Sequence, residues 1–502
     1  MKSPTKSGSI SPAPNFFKKR SPHARSHFFT ALLTALLPLL PLPTHAQIPD
    51  LVLLNARVID PETKLDARRH VAIRDGRITA LATEPPAAKT TLDARGLVLA
   101  PGFIDLHQHG HDPSDYRLKA LDGVTSVLEL EVGTADLDAW YSRRENKTPI
   151  HFGVSIGHIP CRIAALGERP VFVPAADSRS ATTEATEAQL ADLLRLIERG
   201  LQRGAPAVGF GIQYTPGASQ WEILETFRLA ARYGASCHVH MRFKGDTGPQ
   251  NVFTALEELL AATAITGAPA HLAHVQSTCN RATPRILQLL TAAHARGLDI
   301  TVECYPYTAG MTDIRSAIFD PGWQQRANID YADLQSITTG ERFTAETFAR
   351  QRKLGGMILV HSNTESLIRE TLAHPLTMIA SDGIIGHPRN AGTSARVLGR
   401  YVRETRTLTL LQALEKLSLL PARRLEARVP AMKNKGRLRV GADADLVLFD
   451  PEKIIDHATY ERPSLPSTGI EHVLVNGTFV VKHGQFLENS TPGQPIRAPI
   501  KP

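Results

Sequence analysis

Between residues 51 and 81 apolar and polar positions alternate in short runs, the period-two pattern of half-buried strands. Asp75-Gly76, set between Val71-Ala72-Ile73 and Ile78-Thr79-Ala80, supplies a two-residue hairpin turn. The far end repeats the device: residues 445–449 read as one strand, and 472–475, Asn476-Gly477 and 479–481 as a second hairpin.

In the middle the period lengthens to three and four. Residues 186–202 carry Leu190, Leu193, Leu194, Ile197 and Leu201 on one helical face, with Thr186 and Gln189 placed as a capping box, and 207–212 follow as a buried strand. Ser219 and Glu222 read as another capping box, opening a helix that runs to Gly234 before a strand at 235–240. Helices near 252–265 and 284–295 precede strands at 270–274 and 299–304. Such alternation, with short connections and no Gly-x-Gly-x-x-Gly after an early strand, favours a parallel (β/α)8 barrel over a doubly wound sheet. The expected fold is therefore α/β: a TIM-like barrel over 101–430, and a small β-sandwich domain assembled from both ends, 47–100 and 431–502. Residues 310–355, polar with scattered aromatics, break the rhythm and read as an insertion or lid.

Composition adds one correction. The formal charge of +8 suggests a nucleic-acid or membrane-surface protein until it is located: Lys2, Lys6, Lys18, Lys19, Arg20 and Arg25 lie in the first 46 residues with no acid, leaving only +2 for the remainder. Nucleic acid is not an expected partner. The basic stretch runs into a 15-residue apolar segment, 28–42, and then Thr44-His45-Ala46, the order of an export signal cleaved before Gln47. The segment is interrupted by Pro38 and Pro41 and is shorter than the roughly 20 residues that span a bilayer, so no stable membrane anchor is expected. Secretion, to the periplasm given the bacterial character of the family named below, is the expectation. Cys161, Cys237, Cys279 and Cys304 are too few for a disulfide scaffold and read as buried thiols, with one or two bridges still open.

The chemistry is carried by histidines at strand ends. Phe103-Ile104-Asp105-Leu106-His107-Gln108-His109 is an apolar strand closing in His-x-His, which puts both imidazoles on one face at the end where barrel sites are built. His240 and His274 end two later strands, and Asp382 follows Met378-Ile379-Ala380-Ser381. Five such groups converging on one barrel mouth point to a zinc-class ion. His238 reads as a packed neighbour of His240. His111, His151, His361 and His387 fall in loops or strand starts, and His158 stays undecided.

Pro101-Gly102-Phe103-Ile104-Asp105-x-His107-x-His109 resembles the opening of the amidohydrolase superfamily. His240-Met241-Arg242, Tyr305-Pro306-Tyr307-Thr308-Ala309, Ser381-Asp382-Gly383, His387-Pro388-Arg389 and the segment from Arg396 to Tyr401 resemble its N-acyl-D-amino-acid deacylase branch, as does the end of the chain from Gly436 to Gly484. The resemblance implies that His107 and His109 bind the more buried of one or two Zn2+ ions, His240 and His274 a second, and that Asp382 is both ligand and general base. The branch bridges its metals with a Cys at the end of the second strand. Here that strand holds no Cys, and the fourth holds no Lys to be carbamylated. Glu131 is the expected bridge, because one carboxylate joins two cations; Glu129 shares its face and stands second.

The substrate implied is a small N-acyl amino acid of D configuration. Arg389 is the first candidate for its carboxylate, with Tyr305 beside it and Arg242 as a further possibility. A hydroxyl that the family carries after Tyr-Pro-Tyr falls in Gly310-Met311-Thr312 here, leaving the side-chain preference open. A dipeptidase or cyclic-amide hydrolase of the same barrel, and an inactive metal- or ligand-binding relative, are the rival readings. The acyl group, stereochemistry and oligomeric state are not legible from the residues.

Overall fold

The computed structural model describes residues 48–501. The expected export signal, 1–46, lies outside them, and among the described residues no helix is long and apolar enough to cross a membrane.

Eight parallel strands form the central sheet: β1 (Phe103–Asp105), β2 (Val124–Thr134), β3 (His151–Gly157), β4 (Ala207–Gly211), β5 (Ser236–His240), β6 (Ala270–Leu272), β7 (Ile300–Cys304) and β8 (Thr377–Ile379). They neighbour one another in chain order except that β8 follows β7 across a long insertion. The ring closes where Gln108 bridges Gly383, with Gly383 N donating to His107 O at 3.3 Å and His109 N donating to Gly383 O at 2.8 Å. Glycine suits the closure: a Cβ on residue 383 would stand 2.0 Å from Gln108 Oε1 and 2.7 Å from Ser381 Oγ, so both buried side chains would have to move.

The helices start where local chemistry dictates. Thr186 caps Glu187–Gln202 and closes a reciprocal box with Gln189, a device that contributes about 1 kcal/mol. The second expected box forms only in part. Ser219 accepts from Glu222 N, but the Glu222 side chain turns to His158 Nε2 at 2.7 Å and to Arg162, because two buried donors outbid one backbone N–H. His158 is thereby a structural residue holding the start of Gln220–Arg232.

Both ends of the described residues enter one nine-stranded sheet, knitted where Val98–Pro101 pairs antiparallel with Leu446–Phe449. Alternation decides what each face touches. Leu99, Leu446 and Leu448 pack within the sheet's own cluster with Leu53, Val58 and Ile73. Val98, Ala100, Val447 and Phe449 join the large core shared with the barrel strands.

The stretch read as an insertion or lid contains a small folded unit. Ala309–Asp313 and Leu334–Ser336 both pair antiparallel with Met357–His361, and Ile314, Phe319, Trp323, Phe343, Phe348 and Ile358 form a core of their own. All four cysteines are buried and free.

Candidate metal centre

Four histidines at barrel strand ends, His107, His109, His240 and His274, point at one place. His107 Nε2 lies 2.5 Å from Glu131 Oε2, 3.1 Å from His109 Nε2 and 3.5 Å from Asp382 Oδ1. His109 Nε2 is 3.1 Å from the same Asp382 oxygen. On the other side, Glu131 Oε1 faces His240 Nδ1 at 2.9 Å, and Oε2 faces His274 Nε2 at 3.6 Å. Two groups of donor atoms result, His107, His109, Glu131 and Asp382, and Glu131, His240 and His274, each gathered within 4.8 Å. Glu131 belongs to both.

Local backbone explains the convergence. Odd positions of β2 turn Glu129 and Glu131 toward the histidines, while Leu128 and Leu130 pack with Ile104 and Leu106. His274 and Asp382 leave their strands with φ of +27° and +52°, conformations that L side chains avoid. Such strain survives where the surroundings fix the residue, and it aims both side chains back across the barrel mouth.

A ring of partners orients the imidazoles from behind. Glu303 receives His107 Nδ1 on one oxygen and His271 Nε2 on the other at 2.9 Å. Glu129 holds His109 Nδ1 and accepts from the backbone N–H groups of Glu131 and Val132 at 3.1 and 2.9 Å. Thr278 Oγ1 meets His274 Nδ1 at 3.1 Å, and Gln213 Oε1 meets His240 Nε2 at 2.7 Å. Beneath them Lys119 Nζ joins Asp105 and Ser381, the residue before Asp382, at 2.9 and 2.6 Å.

This donor set fits a metal. It offers buried imidazole nitrogens and carboxylate oxygens, and imidazoles whose far nitrogens are already fixed, the arrangement that sets tautomer and direction in metal sites. Its electrostatics say the same. Burial opposes charge on His109, yet Glu129 and Asp382 outweigh it and push the imidazole up to about 9. Burial likewise opposes charge on His107, and Glu303, Asp382 and Glu131 drive it well above its ordinary value. Burial raises Glu131, but His107 and its neighbours hold it well below the carboxylate range. So much buried negative charge requires a countercharge, which protons supply here and a cation would supply by displacing them.

The remaining site residues divide. Arg389 is fully buried, 2.9 Å through Nη1 from Asp382 Oδ2, and its guanidinium stacks 4.7 Å over the Tyr305 ring. Its Nε and Nη2 and the Tyr305 hydroxyl find no acceptor among the described residues. Burial pushes the Tyr305 hydroxyl up to about 12. Arg242 is the correction. It makes a bidentate pair with Glu258 at 2.9 and 2.7 Å and donates to Ala218 O at 2.7 Å, so it packs helices rather than facing the centre. Thr312 lines the cavity and meets the Tyr214 hydroxyl at 3.1 Å.

The sequence reading missed Glu303, Gln213 and Lys244. Lys244 lines the cavity, pairs with no carboxylate among the described residues, and is lowered to about 8 by burial. A signal existed for Glu303: an acid between Val302 and Cys304 in the buried strand β7, beside the strand leading to His274, needs a buried partner.

Comparison with known proteins places this geometry. The sequence profile of the amidohydrolase family matches residues 165–481. An N-acyl-D-glutamate deacylase of Alcaligenes xylosoxydans xylosoxydans is 33% identical, over 89% of this chain and 96% of its own. A D-aminoacylase of the same organism is 29% identical over 87% and 95%. Among solved structures, the N-acyl-D-glutamate deacylase of Bordetella bronchiseptica, complexed with zinc and a phosphonate mimic of the reaction's tetrahedral intermediate, superposes with a TM-score of 0.78 at 28% identity, covering 90% of this chain and all of that one.

Proposed function

The chain belongs to the amidohydrolase family, and from that premise we propose that it is a metal-dependent deacylase of N-acyl-D-amino acids with acidic side chains. The observation that carries the reading is Glu131, one carboxylate common to two clusters of imidazole nitrogen and carboxylate oxygen. His107, His109, Glu131 and Asp382 would hold one ion, and Glu131, His240 and His274 a second; zinc suits nitrogen and oxygen donors and is the metal of the Bordetella bronchiseptica complex. When bound, such an ion lowers the pKa of water to about 7 and polarises the acyl carbonyl.

The chain's own groups supply the rest. Burial raises the Asp382 carboxyl, but Arg389 and His107 outweigh it and keep it ionised, so its oxygens accept a proton from the attacking water. Transferring that proton to the departing nitrogen turns a poor leaving group into an amine. The unused donors of Arg389, stacked on Tyr305, match a free α-carboxylate. The unpaired Lys244 matches an acidic side chain, in keeping with the D-glutamate derivative that the relative at 33% identity acts on. Deacylation is favoured over dipeptide or cyclic-amide cleavage because the relatives of 29% and 33% identity are deacylases, and over an inactive binder because the donor set is complete.

The test is release of acyl acid from paired D- and L-N-acyl amino acids, with and without a chelator. Chelator-sensitive turnover of the D-glutamate derivative is expected, and Asp382→Asn should lower kcat by about 10²–10⁴ while retaining metal. Turnover indifferent to chelator, or to Asp382→Asn, refutes the assignment. We also propose export to the periplasm, supported by the basic and then apolar order of residues 1–46. A periplasmic product whose first residue is Gln47 would bear this out, and an uncleaved cytoplasmic chain would contradict it.

A further inference from the structure

Three large apolar side chains stand exposed around the mouth of the metal cavity, Phe172, Ile337 and Ile385, with 42%, 39% and 53% of their surface open, and Val171, 53% open, immediately precedes Phe172 in the chain. They come from three separate segments, the loop after β3, the inserted unit and the stretch after Asp382. The Phe172 ring lies edge-on to His109 with centroids 5.1 Å apart. Phe172 and Ile384 line both the metal cavity and an adjoining cavity of about 370 Å³, which Ile385 also lines. Ile337 and Met311 close over Gly386, their tips 3.5 and 3.3 Å from where a Cβ would stand. Single apolar side chains on a surface are ordinary; an apolar strip formed by Phe172, Ile384, Ile385 and Ile337, edging a cavity whose other wall carries Asp112, Asp115 and Arg144, marks a binding surface.

Its occupant follows from the geometry of the amide, given the deacylase reading on which this step rests. Three branches leave the scissile bond. The α-carboxylate is drawn to Arg389 and Tyr305, and the acidic side chain to Lys244. The acyl tail is left with the wall formed by Phe172, Met311 and Ile384, and beyond it the exposed strip. We propose that this strip binds an extended apolar acyl chain, so that the favoured substrates carry medium or long acyl groups rather than acetyl.

The test compares kcat/KM for N-acetyl-, N-butanoyl- and N-octanoyl-D-glutamate in the zinc-loaded enzyme and in a triple variant, Val171→Ser, Ile337→Ser and Ile385→Ser. The wild type should prefer octanoyl over acetyl at least tenfold, a gain that about two fully buried methylenes supply. The triple variant should bring that ratio close to one and keep acetyl turnover within about twofold, which also reports an intact fold. Acetyl turnover with no gain along the series overturns the inference and leaves the deacylase reading standing. A gain that survives in the triple variant overturns the assignment to these side chains. Sedimentation of both proteins covers the remaining occupant: a dimer that the triple variant dissociates, with the chain-length profile unmoved, makes the strip a contact between copies and overturns the inference. No turnover of any N-acyl-D-amino acid removes the deacylase reading and this inference together.

Discussion

Two buried clusters in this molecule use the same side chains to opposite ends. At the start of β3, His151 Nε2 meets Asp445 Oδ1 at 3.0 Å, and Lys435 Nζ sits 2.6 Å from Asp445 Oδ2 and 3.1 Å from Asp443 Oδ2. Gln494 N donates to His151 Nδ1 and Asn476 N to Asp445, so each member is satisfied. At the other end of the strands, His107, His109, His240 and His274 surround Glu131 and Asp382; Arg389 pairs with the outer oxygen of Asp382 at 2.9 Å, but Glu131, shared by both donor groups, meets no lysine or arginine among the described residues. The difference is the cation. One cluster contains its own in Lys435 and ties the end of the chain to the barrel. The other aims lone pairs at a shared point and is completed only from outside. Position agrees, since the ends where barrel strands begin serve stability and the ends where they finish serve chemistry.

Single carboxylate changes should separate the two. Glu131→Gln replaces one of the two oxygens shared between the donor groups with an amide NH2 and removes the negative charge common to both. Because a residue that merely orients a ligand costs about 10–100-fold, kcat should fall by more than about a hundredfold, with bound metal reduced by elemental analysis. Unchanged metal and kcat would transfer the role to Glu129 or abolish it. Asp445→Asn removes the nearer and more buried of the two carboxylates that hold Lys435, leaving Asp443 alone to offset its charge, and should cost up to roughly 3–5 kcal/mol of unfolding free energy, with kcat of the folded enzyme unchanged. The pH dependence has a definite sign. Burial raises the Asp445 carboxyl, but His151 and Lys435 hold it far below its ordinary value. Its contribution is therefore present above a pH of about 4 and lost as pH falls below that. Denaturation of the wild type should steepen below about pH 4, and the Asn variant should lack that added fall.

Glu303→Gln probes a group that touches the centre only through its ligands. It leaves every donor in place but loosens His107 and His271, so metal affinity by chelator competition should drop about 10–100-fold, and excess metal should restore most of kcat. A variant with unaltered affinity would show that Glu303 only fills space.

The sequence exposed one half of this comparison better than the other. Strand-end histidines follow from hydrophobic runs that stop at a polar residue, and strand alternation put Glu131 and Glu129 on the same face without deciding between them. The structure separates them by reach: Glu129 is consumed by His109 Nδ1 and two backbone N–H groups, while Glu131 faces four imidazoles. What alternation cannot convey is a partner chosen in three dimensions. Arg242 faced the site on paper until Glu258, sixteen residues on, took its Nε and Nη2, and Glu222 left its cap for His158 and Arg162. The inserted unit was illegible for a different reason, because strands of three to five residues interleaved with single turns carry too few periods to read.

A pair of lysines gives the smallest and most specific test. Lys435, among carboxylates, has its pKa raised against the opposition of burial. Lys244, less enclosed than Lys435 and lining the cavity, is lowered to about 8 by burial, since no carboxylate among the described residues offsets the loss of water. If the missing carboxylate belongs to the substrate, Lys244 must be protonated to receive it. Then kcat/KM for N-acyl-D-glutamate should decline as pH rises through about 8, while the same acyl derivative of D-leucine shows no such decline. Lys244→Met should raise KM for the glutamate derivative by about tenfold with kcat little changed, the mark of lost binding held equally in ground and transition states. It should leave the leucine derivative equal or improved. A matching pH decline for both substrates would assign the titration to the centre itself and leave Lys244 with no part in selecting the side chain.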